Sequence, residues 1–178
     1  MIEFRHVRKE FDGIVAVEDF TMSVPRGEML VLLGGSGSGK TTTLKMVNRL
    51  IEPTDGTISI GGHNVLDGEP HAIRRRIGYC FQRIGLFPHM TVAENIAVTP
   101  ELLGWDRDRI VARVDTLLEL VQLDPEEFRQ RMPNEMSGGQ QQRVGVASSQ
   151  DAEPEVILID EPFGALDPQT RDALQQAR

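Results

Sequence analysis

Residues 32–43 read LLGGSGSGKTTT, and few chains can accommodate such a run. Gly34, Gly35, Gly37 and Gly39 can take backbone angles closed to other residues, so that successive N–H groups converge on one point. Placed at the start of a helix, those N–H groups and the positive helix terminus make an anion site. Gly34 to Thr41 satisfies G-x-x-x-x-G-K-[ST] at every fixed position, the pattern of a phosphate-binding loop. In that pattern Lys40 reaches the β and γ phosphates and the Thr41 hydroxyl ligates Mg²⁺. A plain glycine–serine turn is the bland alternative. The flanks argue against it, because EMLVLL before the run reads as a buried strand and TTLKMVNRL after it as a helix.

The 178 residues suffice for one domain with a real core, or one domain plus a small insertion. A 39% hydrophobic and 26% charged composition is ordinary for a globular protein. The net charge of −8 argues against a sequence-blind nucleic-acid binder. Arg74, Arg75 and Arg76 accordingly read as a solvated strand entrance. Cys80 is the single cysteine, so no internal disulfide can form, and His6, His63, His71 and His89 show no metal-ligand spacing with it. No apolar run approaches a membrane span and the first residues lack a signal-peptide pattern, so a membrane connection is expected only through a partner.

Along the chain, Phe20, Met22 and Val24 alternate with polar residues as in a half-buried strand, and Thr57–Ile60 sits as a strand between glycine turns. Residues 76–81, RIGYCF, are another short strand. Ile110, Val114, Leu117, Leu118 and Val121 share one helical face. Residues 155–160, EVILID, form a continuous apolar strand of the kind covered on both faces. A polar helix begins after EPFGALDPQ and runs to the end. The layout is an α/β core with a helical insertion.

Two further groups carry chemistry. Asp160 ends the VILID strand and is followed by Glu161; the first can hold Mg²⁺ through its water shell and the second can take a proton from an attacking water. Alone, two acids at a strand end would more simply be solvated; beside a phosphate loop they gain a purpose. Ser137, Gly138 and Gly139 open a helix and offer a hydroxyl, bare N–H groups and a dipole to a second anion. One nucleotide does not easily need two such termini from one chain, so this one is expected to cap a phosphate held by a second subunit.

With these motifs in their order and spacing, the chain resembles the nucleotide-binding subunit of ATP-binding cassette transporters over essentially its whole length. The resemblance implies a P-loop NTPase core with a parallel sheet, an N-terminal antiparallel β subdomain and a helical insertion. It implies a single domain, with about 1–85 and 153–178 as core and about 86–152 as the helical part. It implies ATP and Mg²⁺ held by Gly34, Gly35, Ser36, Gly37, Ser38, Gly39, Lys40, Thr41 and Thr42, and in trans by Ser137, Gly138, Gly139 and Gln140. Gln82, after Phe81, would sense Mg²⁺ and the membrane subunit, joining Thr41 and Asp160 as metal residues and Glu161 as a catalytic one. Asp167 would communicate across the dimer. Phe11 would lie against adenine, unless it is simply a core or surface phenylalanine.

The implied partners are a second nucleotide-binding subunit and integral membrane permease subunits at the cytoplasmic face of the membrane, with no nucleic acid. LKMVNRLIEPTDGTISIGG and RIGLFPHMTVAENIAVTPELLGW are similar to importers of glycine betaine, choline and related osmoprotectants. Leu86, Phe87, Pro88 and Trp105 would face a membrane subunit there; the blander reading makes Phe87 and Trp105 partly buried insertion residues. Two other readings are a binding-only remnant and a soluble cassette ATPase outside transport. The latter usually brings a second cassette or a long coiled coil, which this sequence lacks.

Two departures from the family pattern stand out. After QQQRVGVA, an arginine and several alanines or leucines are replaced by Ser148, Ser149, Gln150 and Asp151. A buried glutamine at 150 would cost roughly 1–3 kcal/mol unless hydrogen-bonded. The family's γ-phosphate histidine belongs beyond Arg178, and all four histidines precede Asp160. The chain is therefore expected to be truncated, to bind ATP and to hydrolyse it poorly.

Overall fold

The structure, a computed structural model, describes residues 1–80 and 85–160. The chain divides into two compact units, Met1–Arg74 and the residues from Arg75 onward.

In the first unit, β1 (Ile2–Phe11) and β2 (Ile14–Val24) form an antiparallel hairpin. The connecting Asp12 and Gly13 have φ of 48° and 83°, the positive pair that matches the twist of the strands. β3 (Asp55–Ile60) pairs with the other edge of β1, and β4 (His63–Asn64) with β3, giving the order β2-β1-β3-β4. The register of β1 against β2 shifts between Phe4 and Val7, and against β3 between Arg5 and Arg8, where His6 bulges at φ 49°. Gly56 faces that bulge so closely that a Cβ there would overlap the His6 carbonyl. The core gathers Phe4, Val7, Ile58 and Ile60, with Met46 and Val47 of α1 (Lys40–Val47). Burying each such side chain is worth about 1.5–3 kcal/mol. Of the alternating β2 residues, Val24 is buried and Phe20 meets the Phe4 ring edge-on, whereas Met22 remains exposed.

Helix α1 ends with Arg49 at φ 54°, while Leu50 N donates to Lys45 O and Arg49 N to Met46 O. From the end of α2 (Pro70–Arg74), Arg74 donates to the Asn48 and Arg49 carbonyls at 3.2 and 2.7 Å. Arg76 in turn grips Glu155 with two hydrogen bonds. The arginine run is thus exposed but two of its members hold specific partners, which corrects the reading as mere solvated surface.

EMLVLL does not form the expected strand. Residues 28–33 make no described ladder pairing, and Met29 and Leu33 are 70% and 88% exposed. A parallel strand exists only by pairing, and the antiparallel sheet of this unit does not take the segment in.

In the second unit, β5 (Ile77–Cys80) and β6 (Val156–Ile159) pair in parallel, Ile77 opposite Val156 and Cys80 opposite Ile159. Val156 and Leu158 are buried but Ile157 is not, so β6 is covered on one face and not on both as expected; β5 is its one described neighbour. Gly78 lies so close to the Ser149 carbonyl that any side chain would overlap it. Around this pair fold α3 (Val92–Leu102), α4 (Arg107–Leu120), α5 (Pro125–Phe128), a 3-10 turn (Pro133–Glu135) and α6 (Gly138–Ser148). Ile110, Val114, Leu117, Leu118 and Val121 all point into their common core, as their spacing requires. Buried Asn95 fastens the preceding segment to α3, accepting from Phe87 N and donating to the Phe87, Met90 and Thr91 carbonyls.

The polar departure after α6 resolves differently from expectation. Gln150 is only half-buried, and the buried group is Asp151. Its carboxylate accepts from Ala152 N and from Thr99, while Arg113 donates to the Gln150 and Asp151 carbonyls. Burial outweighs these partners and pushes Asp151 up to about 6. A carboxyl that binds its proton more tightly when folded favours folding below its unfolded pKa and loses that contribution as pH rises to about 6. Above that, the ionised Asp151 is a cost. Asp151→Asn is therefore expected to raise the melting temperature at pH 7.5, by on the order of 1–3 kcal/mol of stability. The difference from wild type should shrink at pH 5, as melting curves at the two pH values will show. A destabilised Asp151→Asn at pH 7.5 would contradict this.

Candidate nucleotide-binding site

The glycine-rich loop belongs to the first unit. Gly37 and Gly39 have φ of 82° and 85°, left-handed values that place their N–H groups where other residues strain to put them. Gly39 is the N-cap of α1, and a Cβ on it would sit 2.5 Å from the Ala16 carbonyl oxygen of β2. The helix therefore starts against the sheet with no side-chain cap and no acid in its first turn. A helix start of this kind suits an anion. Buried Thr43 ties this turn down by donating to Gly39 O at 3.0 Å, and Thr41 and Thr42 are half-buried beside it.

Lys40 Nζ donates to Gly34 O and Gly35 O at 2.8 Å each and to Ser38 Oγ at 3.2 Å. All three ammonium hydrogens are thus held over the loop, and Ser36 completes its exposed crest. A phosphate oxygen arriving there exchanges for one of these acceptors. Phe11 ends β1 as an exposed ring with Lys9 Nζ 4.7 Å from its centroid, so it is not a core residue and offers a face for stacking.

The second unit carries the acid and the serine helix. Asp160 continues the ladder past β6, its N–H donating to Cys80 O at 3.1 Å, and it is buried. Tyr79 OH donates to Asp160 Oδ2 at 3.3 Å. Burial, and then the Asp160 charge, pushes the Tyr79 phenol up to about 12. Burial also raises the Cys80 thiol, which leaves it unreactive.

Ser137 is the N-cap of α6 and forms a reciprocal box with Gln140: Gln140 N donates to Ser137 Oγ, and Ser137 N to Gln140 Oε1. Gln141 braces the preceding turn through the Pro133 and Met136 carbonyls. Gly138 and Gly139 are exposed, and among the described residues a Cβ on either would meet nothing. No described residue requires glycine at these two positions.

Gln82, Phe81, Glu161 and Asp167 lie outside the described residues. Of the four residues proposed to face a membrane subunit, Phe87 is exposed, while Leu86 and Trp105 pack against the helical core. Trp105 also lies under the Arg109 guanidinium, 3.3 Å from the ring centroid, so it follows the blander reading. Sequence reasoning missed Tyr79, whose contact with Asp160 depends on the pairing of β5 and β6. It named Asp151 within the polar departure but weighed burial at Gln150 instead.

The donor set fits the group it would hold. A left-handed Gly39 seated against Ala16 O, a lysine over the loop and an acid-free helix start suit phosphate. Among the described residues no three His, Cys, Asp or Glu side chains cluster as a preformed metal cage. Mg²⁺ takes one or two protein oxygens, of the kind the Thr41 hydroxyl and the Asp160 carboxylate offer, and relies on waters and phosphates for the rest.

A family model described as "ABC transporter" matches residues 17–164. The chain is 51% identical, over 98% of its length, to the osmoprotectant import ATP-binding protein OsmV of Salmonella typhimurium, of which it spans 47%. It is 53% identical, over 99% of its length, to the glycine betaine uptake system ATP-binding protein YehX of Escherichia coli, of which it spans 57%. The chain thus covers about half of the curated relatives it matches. A solved dimeric ATP-binding cassette in a post-hydrolysis state with ADP and Pi superposes with a TM-score of 0.84 at 32% identity, covering 98% of this chain and 79% of that one.

Proposed function

Since the chain belongs to the ABC transporter family, an α/β P-loop NTPase fold, we propose that it is the ATP-binding and ATP-hydrolysing subunit of an importer for quaternary-amine osmoprotectants. The observation that carries the reading is the loop at Gly39, where a left-handed glycine lodged against Ala16 O opens α1 beneath a lysine. The substrate class rests on the import proteins named above.

The roles follow. The N–H groups of Gly34 to Thr42 and Lys40 bind the phosphates, and Phe11 stacks on adenine. The Thr41 hydroxyl, Gln82 and Asp160 serve Mg²⁺, which when bound neutralises charge between the β and γ phosphates. Glu161 takes the proton of the attacking water. Ser137, Gly138, Gly139 and Gln140 cap the γ phosphate bound by a second copy, and Asp167 communicates across that dimer. The open space over Gly138 and Gly139 among the described residues supports this, because close approach by a nucleotide accounts for glycines that no described neighbour requires. We group about 1–85 and 153–178 as the nucleotide core and about 86–152 as the inserted helical part. No described helix is long and apolar enough to cross a membrane. In this reading the subunit works at the cytoplasmic face, joined to permease partners.

ATP-dependent dimerisation tests the reading. Light scattering on Glu161→Gln should show a dimer with Mg-ATP and a monomer without nucleotide. The same mass in both conditions would remove the trans role of Ser137 to Gln140.

A further inference from the structure

We propose that Tyr79 is a positioning residue for Asp160, fixing the orientation of the carboxylate that serves the nucleotide's metal; this rests on the reading of Asp160 given above. Three observations carry it. Leu158 pairs with Tyr79 across the parallel ladder, and Asp160 stands two residues beyond Leu158. Side chains alternate along a strand, so Tyr79, Leu158 and Asp160 share one face of the β5–β6 pair.

The Asp160 backbone is fixed by its N–H bond to Cys80 O, and its carboxylate is aimed through the side-chain torsions. The Tyr79 hydroxyl, 3.3 Å from Oδ2, constrains those torsions. Tyr79 itself sits on a rigid strand, since its neighbour Gly78 abuts the Ser149 carbonyl at the end of α6. A hydroxyl donated to a carboxylate orients it, as outer partners do around metal ligands generally.

Tyr79→Phe deletes the hydroxyl and keeps the ring. Mn²⁺, visible by electron paramagnetic resonance, is titrated into the full chain with a non-hydrolysable ATP analogue, in wild type, Tyr79→Phe, Asp160→Asn and the double variant. Tyr79→Phe is expected to weaken Mn²⁺ binding about three- to tenfold. Its affinity for the analogue in EDTA and its melting temperature should stay at the wild-type values, which a general packing defect would not allow. The double variant should be no weaker than Asp160→Asn alone. Weakening by Asp160→Asn with none by Tyr79→Phe overturns the Tyr79 role and leaves the Asp160 reading intact. No weakening by Asp160→Asn overturns both.

Discussion

Glu161→Gln should slow ATP hydrolysis by about 10²–10⁴ while ATP binding stays at the wild-type level. Asp160, which Glu161 follows in the sequence, is buried at the carboxyl end of the β5–β6 pair, its backbone prolonging the parallel ladder. Ligands of open α/β sheets bind at that end. Glutamine keeps the shape and the hydrogen-bonding oxygen but cannot accept a proton, so the chemical step suffers and the binding step does not. Phosphate release and nucleotide titration on the same preparations separate the two. Equal hydrolysis by both proteins would take Glu161 out of the base role.

Two changes in the glycine-rich loop should each abolish tight nucleotide binding, but by different routes. Gly39→Ala forces a left-handed alanine and drives its Cβ to 2.5 Å from Ala16 O and 3.1 Å from Val17 Cγ2. The backbone strain is about 1–2 kcal/mol and the overpacking about 1–3 kcal/mol. The melting temperature should fall by roughly 5–15 °C as the loop is pushed from the sheet. Lys40→Ala removes three exposed hydrogen bonds and strains nothing, so its melting temperature should stay near that of wild type. Differential scanning calorimetry of the two variants checks the contrast. A Gly39→Ala protein as stable as wild type would mean the close approach to Ala16 is not a constraint on the fold.

What could be read from the sequence was what local chemistry dictates. The loop was legible because its glycine spacing and following lysine have a single physical use, and α4 because five apolar residues recur at the helical period. The boundaries of Asp55–Ile60 and Ile77–Cys80 differ from the expected spans by only a few residues. What escaped depends on partners distant in the chain. The β1 strand breaks its alternation after Phe4, because a bulge at His6 puts Val7 inside, so its pattern does not announce a strand. Residues 28–33 have the composition of a strand, but composition does not provide a neighbour to pair with. Tyr79 reaches Asp160 only through the register of two strands some 80 positions apart, a separation of 81 residues. Asp151 was visible as an oddity, but which residue of the polar stretch lies inside is settled by how α6 ends against Gly78.

The central claim is that the loop at Gly34–Thr41 binds ATP, and isothermal calorimetry with Mg-ATP tests it most directly. Charge-assisted bonds from a lysine to phosphate contribute about 1.5–3 kcal/mol, so Lys40→Ala should bind at least tenfold more weakly than wild type. Wild type should saturate and Lys40→Ala should not over the same concentration range. Equal dissociation constants for the two proteins, or no binding by wild type, would contradict the account.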